Sequence, residues 1–172
     1  MKKSLLTLIL ITLFSASLFA AESPATTSLK ENEIEQMLIK IHNEAIQGGY
    51  ELMSVADLKQ LIDNKESFVL IDAQPKEHYN SAFIEGAKNF EFQGTFTRDW
   101  SADAIGGSKA AYQELLGHDM NKKIILSCGG LKCTRSNTAA LWTKELGYHH
   151  VYRVVSGIKG WQDAGYPVKS IK

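Results

Sequence analysis

Arginine is scarce in this 172-residue chain: there are three, Arg98, Arg135 and Arg153. No run of basic residues follows the first few positions. Lysine plus arginine equals aspartate plus glutamate at 19 each, and setting aside Lys2 and Lys3 leaves 17 basic against 19 acidic side chains, a net charge of −2. A surface so balanced lacks the electrostatic footprint of a polyanion binder, so no nucleic-acid partner is expected. Cysteine is scarcer still, with only Cys128 and Cys133. Neither lies just behind the apolar N-terminal run, which argues against lipid attachment there. His149 and His150 are the residues that would have to join the cysteines in a zinc site. Adjacent residues ahead of a strand point to opposite sides, so no metal is expected, and nothing in the chain calls for an organic cofactor.

What is present begins with a targeting pattern. Lys2 and Lys3 form a basic start, Leu5 to Phe14 an apolar stretch, and Leu18-Phe19-Ala20 a small-residue cleavage site, so residues 1–20 are expected to be a signal peptide. The stretch is too short for a membrane span. The expectation is therefore export, to the periplasm if the source is a Gram-negative bacterium, with no stable membrane insertion after cleavage. The roughly 150 residues left are enough for one domain that buries about two-thirds of its unfolded surface.

Residues 21–50 are expected to form an N-terminal extension, and 51–172 the domain. After a small and polar lead, Ile34, Leu38, Ile41 and Ala45 recur at helical spacing from about Leu29 to Ile46, with a Ser28–Glu31 capping box ahead and Gly48-Gly49 behind. This helix either packs back on the domain or forms a homodimer contact. A second helix is expected over Val55–Ile62, started by Ser54 and Asp57. Phe68-Val69-Leu70-Ile71, ending in Asp72, is a short continuous apolar run of the kind found in strands buried on both faces of a parallel sheet. Pro75 opens a short helix to Tyr79, Ala87–Phe92 reads as a strand, and residues 93–106 show no period, as a lid, a binding loop or a surface excursion would. A helix over Ser108–Leu116 precedes a strand over Ile124–Ser127. The segment from Thr134 to Leu146 puts Ala139, Trp142 and Leu146 on one helical face. Val151–Val155 is the last strand and Ile158–Ala164 the last helix, with Trp161 in the core. Strands alternating with helices predict an α/β fold: an open, mostly parallel sheet with helices on both faces, and a ligand crevice at the carboxyl ends of its strands.

Cys128 stands at such a strand end. The loop Cys128-Gly129-Gly130-Leu131-Lys132-Cys133-Thr134-Arg135 runs from strand to helix. Glycines let the backbone turn its amides inward, and a helix N-terminus favours an anion, so the loop is suited to stabilise a thiolate or hold an oxyanion. In exported proteins two cysteines usually pair, yet a bridge between residues five apart closes a loop too short to constrain the unfolded chain much. Cys133 is therefore read either as a thiol that resolves or protects a modified Cys128, or as the partner in a resting disulfide.

Three segments in order, "LIDAQPKEHYNSAFIEGAKNF", "IILSCGG" and "RSNTAALWTKELGYHHVYRVVSGIKGWQDAGYPV", make the chain resemble a single-domain rhodanese, a sulfurtransferase, from about Leu52 to Val168. The resemblance implies that Cys128 takes the sulfane sulfur of thiosulfate, a polysulfide or a persulfide. It would hold it as a persulfide cradled by the backbone amides of the loop from Gly129 to Thr134, those of Gly130, Leu131, Lys132 and Cys133 included, and pass it to a thiol or cyanide. A periplasmic thiol reductant would reopen any bridge. Two departures stand out. Many members carry an arginine where Cys133 stands, and here Arg135-Ser136 follows two residues later; and Asp72-Ala73-Gln74 replaces the common Asp-x-Arg. Lys132 and Arg135 are then the cations available for an anionic donor, with Arg135 alternatively pairing with Asp72, itself expected to be structural. Competing readings are a thiol-disulfide or oxyanion reductase cycling Cys128 and Cys133, a phosphatase-like cysteine enzyme, and a binding module without catalysis.

Overall fold

The computed structural model describes residues 30–171. The signal-peptide pattern, the polar lead and Ser28 lie outside them. The first described helix, α1 (Glu31–Gly48), begins behind Lys30, whose backbone N–H is met by the Glu33 carboxylate at 3.2 Å. The helix therefore starts two residues later than a Ser28–Glu31 box would have it. Gly49, at φ 64°, ends it in the left-handed turn that glycine adopts most readily.

Five strands follow: β1 (Glu51–Met53), β2 (Phe68–Asp72), β3 (Lys88–Asn89), β4 (Lys123–Ser127) and β5 (Val151–Val154). They form one sheet in the order β1-β5-β4-β2-β3, and every pairing is parallel. The crossovers are α2 (Val55–Asp63), α3 (Lys76–Ser81), α4 (Trp100–Asp103), α5 (Lys109–Leu116) and α6 (Arg135–Glu145), and α7 (Gly157–Asp163) closes the chain. This is the expected open α/β sheet.

The period of two along the central strands sends alternate side chains to opposite cores. Ile71, Ile124 and Leu126 enter one core with Phe90, Phe92, Tyr112, Ala139 and Trp142. Leu70 and Ile125 enter the other with Leu58, Ile84, Ile158 and Trp161. Covering on both faces is why these strands read as unbroken apolar runs.

The structure differs from expectation in several places. Strand β1 carries no apolar run, since two of its three residues are exposed at the sheet edge, and periodicity did not reveal it. The strand expected over Ala87–Phe92 shrinks to Lys88–Asn89, because β2 itself ends at Asp72. The Phe90 amide still donates to the Asp72 carbonyl at 3.0 Å, while on its other side the chain meets a returning segment, Phe92 bridging Ala104 and the Glu91 carbonyl accepting from the amides of Ile105 and Gly106. Residues 93–106 are a surface excursion, exposed over most of their length and pinned to the domain by three side chains, and none of them lines the cavity at Cys128. Phe96 and Trp100 pack on the first core, and Asp103, fully buried, accepts from Trp142 Nε1 at 3.0 Å and from Thr97 Oγ1 at 2.7 Å. Finally, α1, which meets α6 and the edge strand β1, buries Ile41 and Ala45 but leaves Ile34 and Leu38 exposed. Helix α6 is covered on more than the one face predicted for it, with Ser136, Thr138, Ala140 and Thr143 buried beside Ala139 and Trp142.

Candidate active site

Strand β4 ends at Ser127 and puts Cys128, 2 % exposed, in the floor of a cavity of about 690 Å³. The start of α7 folds back onto the cysteine's backbone: the amide of Ile158 donates to the Cys128 carbonyl at 2.9 Å and that of Lys159 to the Gly129 carbonyl at 3.1 Å. Gly157 makes this contact possible. Its φ is +56°, and a Cβ there would collide with the Cys128 carbonyl.

Cys128 and Cys133 are joined in a disulfide, their Cα atoms 6.2 Å apart, within the span such bonds take. The bridge is a state that a resolving Cys133 and a resting disulfide have in common. Within the loop the Cys133 amide donates to the Gly130 carbonyl at 2.8 Å, so it is not free for an anion. Among the described residues no protein hydrogen bond engages the amides of Gly129, Gly130, Leu131, Lys132 or Thr134. These are five of the six amides expected to form the cradle; the sixth, that of Cys133, is the one taken up by the Gly130 carbonyl. Thr134 precedes α6 without a side-chain cap, which leaves the helix start uncovered.

The cavity wall carries Lys132 and Arg135, as expected, and also Lys159 and His78, against one carboxylate, Asp163. Arg135 does not pair with Asp72; its Nε is buried without a hydrogen-bond partner. Asp72 is instead satisfied by the residue that replaces the usual arginine: its carboxylate accepts from the Gln74 amide at 3.0 Å and from Gln74 Nε2 at 3.1 Å. Burial pushes the Asp72 carboxyl above its ordinary range, and the two bonds from Gln74 pull partly back. Gln74 also lines the cavity, so the Asp72 bond fixes a neutral amide on the wall where an arginine would have stood. Among the described residues there is no cluster of three or more metal-ligating side chains.

Arg153 escaped the sequence reading. It lies in the middle of β5, 1 % exposed. Its Nε donates to Ser136 Oγ at 3.0 Å, one terminal nitrogen reaches Glu44 of α1 at 2.7 Å and the Tyr50 hydroxyl at 3.2 Å, and the other donates to the Cys133 carbonyl at 3.2 Å. Burial raises the Tyr50 phenol above its ordinary value, which keeps it protonated and able to donate to Asn137 while accepting from Arg153. A lone arginine in an apolar strand was the available signal, since a buried guanidinium must be paired. Lys159 and Met37 were also missed. Met37 reaches the cavity from α1, across 91 residues of sequence from Cys128, and nothing local announces that contact.

A family profile described as "Rhodanese-like domain" matches residues 54–164. The chain is 30 % identical over 105 residues to the thiosulfate sulfurtransferase GlpE of Actinobacillus succinogenes, covering 61 % of this chain and 78 % of that one. It is 27 % identical to an adenylyltransferase and sulfurtransferase of Candida albicans, over 64 % of this chain but 23 % of that protein. It is 26 % identical to a tRNA uridine(34) hydroxylase of Erwinia tasmaniensis, over 71 % of this chain and 32 % of that one. The chain thus spans most of the first relative and under a third of the other two. Among solved structures, BH2092 of Bacillus halodurans superposes with a TM-score of 0.57 at 22 % identity, covering 82 % of this chain and 87 % of that one. The polysulfide-sulfur transferase homodimer of Wolinella succinogenes gives 0.54 at 16 %, covering 83 % and 94 %. At such identity the two structures bear on the fold alone.

Proposed function

Since the chain belongs to the rhodanese-like domain family, we propose that it is a sulfurtransferase whose reduced Cys128 carries sulfane sulfur as a persulfide. The observation that carries this reading is Cys128 at the end of β4, in the floor of a cation-walled cavity, beside five backbone amides without protein partners. The Cys128 thiolate attacks the outer sulfur of thiosulfate; the S–S bond of the donor breaks and sulfite leaves with its electron pair. The persulfide then gives its terminal sulfur to cyanide, forming thiocyanate, or to a thiolate, forming a new persulfide, and the Cys128 thiolate returns. Amides of Gly129, Gly130, Leu131, Lys132 and Thr134 stabilise the persulfide anion, and Lys132 and Arg135 attract the anionic donor. A polysulfide or persulfide donor reacts in the same way. None of these steps needs a metal or organic cofactor.

The Cys128–Cys133 bond has to be opened first. A small thiol or a thiol reductant protein supplies two electrons and two protons and is itself oxidised to a disulfide. The same bond favours a second reading, a thiol-disulfide reductase in which the two cysteines cycle. It also allows a mixed cycle: the Cys133 thiolate attacks Cys128 at its persulfide, the terminal sulfur leaves, and two protons convert it to hydrogen sulfide as the bridge re-forms. We place the protein outside the cytoplasm on the strength of Lys2, Lys3 and the apolar stretch Leu5–Phe14. A disulfide is in keeping with an oxidising compartment. A homodimer through α1, whose Leu38 and Ile46 are 63 % and 65 % exposed, belongs to the same proposal.

Intact mass and peptide mapping of the reduced protein after thiosulfate, and separately after polysulfide, test the reading. One added sulfur atom on Cys128, abolished by Cys128→Ser and retained by Cys133→Ser, is the expected result. Loss of two hydrogens with no added sulfur under both donors would leave the dithiol cycle in its place.

A further inference from the structure

Two anchors hold the bridge, and they come from different parts of the chain. The Cys128 side is fixed by β4 and by the α7 amides on the carbonyls of Cys128 and Gly129. The Cys133 side is held by Arg153 on its carbonyl at 3.2 Å and by its own amide on Gly130. Arg153 is fully buried and must be held in turn. Its carboxylate partner is Glu44, which is on α1, ahead of the matched stretch that begins at residue 54.

We propose that Glu44 is a positioning residue for the second thiol: through Arg153 it keeps Cys133 beside Cys128, so the N-terminal helix sets how readily the pair is reduced. The reasoning is one of effective concentration. A dithiol closes to a disulfide in proportion to how narrowly the fold confines the two sulfurs near each other. With the charge of Glu44 gone, Arg153 is left buried against neutral partners and turns from the Cys133 carbonyl to regain solvation. Cys133 then wanders, and the open dithiol gains ground. Glu44 touches neither sulfur nor substrate, and this role is independent of whether the protein transfers sulfur.

The test is the dithiol–disulfide equilibrium of the full chain in glutathione buffers, in which oxidised glutathione plus dithiol exchanges with two reduced glutathiones plus disulfide, read by alkylation and mass. Glu44→Gln is expected to lower the closing constant about tenfold, equivalent to about 30 mV toward a less negative potential for this two-electron couple. Tyr50→Phe, which removes a weaker support of Arg153, is expected to give a smaller change of the same sign. Leu58→Ala, buried in the opposite core, lowers stability without touching Arg153 and is expected to leave the constant at the wild-type value. A Glu44→Gln constant within twofold of wild type, or an equal shift in Leu58→Ala, overturns the proposal. Should Glu44→Gln not fold, Tyr50→Phe decides by the same comparison: no change relative to wild type overturns it.

Discussion

Substituting Gly157 by alanine should do far more harm than the same change at Gly165, although both residues have positive φ. At Gly165, φ +74°, a Cβ meets nothing within 4 Å, so only the left-handed backbone is penalised, by about 1 kcal/mol. At Gly157, φ +56°, the same penalty applies and the Cβ is driven against the Cys128 carbonyl, with the Gly130 amide nitrogen 3.0 Å away. Relief requires α7 to withdraw, which breaks the bonds from Ile158 to Cys128 and from Lys159 to Gly129, each a net loss of about 1 kcal/mol. The total is about 3 kcal/mol. For a domain of this size, 1 kcal/mol moves the melting temperature by about 2–4 °C, so Gly157→Ala should melt roughly 6–12 °C below wild type and Gly165→Ala roughly 2–4 °C below. Thermal melts of both variants in the oxidised state make the comparison. The displaced Cys128 backbone should also slow persulfide formation in the reduced Gly157 variant while leaving the Gly165 variant near the wild-type rate. Equal melting temperatures would refute the contact argument, since the two sites share the backbone penalty and differ only in what the Cβ meets.

Other consequences follow from the same geometry. Asp103→Ala leaves Trp142 Nε1 and the Thr97 amide without their acceptor; a loss of about 3 kcal/mol is expected, with faster amide exchange across residues 94–105 and a weakened near-ultraviolet tryptophan signal. The buried Asp72 has a raised pKa, so its protonated form suits the folded state better, and its contribution to stability declines as pH rises from the unfolded value through the folded one. Asp72→Asn removes that decline, so the stability difference, variant minus wild type, should grow from pH 4 to pH 7 in denaturant titrations; a constant difference would contradict it. Arg135→Ala, which removes one cation from the cavity wall, should raise the KM for thiosulfate about fivefold at low salt, roughly 1 kcal/mol, and less at 0.5 M salt where screening is stronger.

The elements that the sequence disclosed are those in which one local pattern decides the outcome. Strands β2 and β4 are apolar runs because both faces are covered, and Ser54 with Asp57 marks α2 because the cap bonds are local: Asp57 N donates to Ser54 Oγ at 3.0 Å. Cys128 was legible for a like reason, being a strand end followed by two glycines. What escaped depends on partners remote in sequence. Strand β1 is defined only by β5, about a hundred residues away. Residues 93–106 lack a period because their anchor is a carboxylate meeting Trp142, 39 residues on. The place of Arg135 was left open between Asp72 and a ligand, and the outcome was set by Gln74, whose short reach to Asp72 is local but whose consequence for Arg135 is not. The alignment of Ile34, Leu38, Ile41 and Ala45 on α1 was legible, but which of them the domain covers was not, because helical spacing tells which residues align and not how much of the line a partner covers.

The spacing of the covalent and ionic links also orders how this chain assembles. The sulfurs are five residues apart, and a loop that short closes in nanoseconds to microseconds even in an unfolded chain. Glu44 and Arg153 are 109 residues apart, and the strand pairing that brings them together joins β1 to β5, the longest closure in the sheet. Long closures form late because their entropy must be met before their contacts exist. Forming the bond itself takes an oxidant seconds or longer, so the strength of the oxidant decides whether the cysteines are bridged before α1 docks. A chain maturing in an oxidising medium can enter its last folding step already bridged, whereas one refolded under reducing conditions meets that step with two free thiols. The two routes end at the same sheet, but only the first offers Arg153 a Cys133 carbonyl already confined when it arrives.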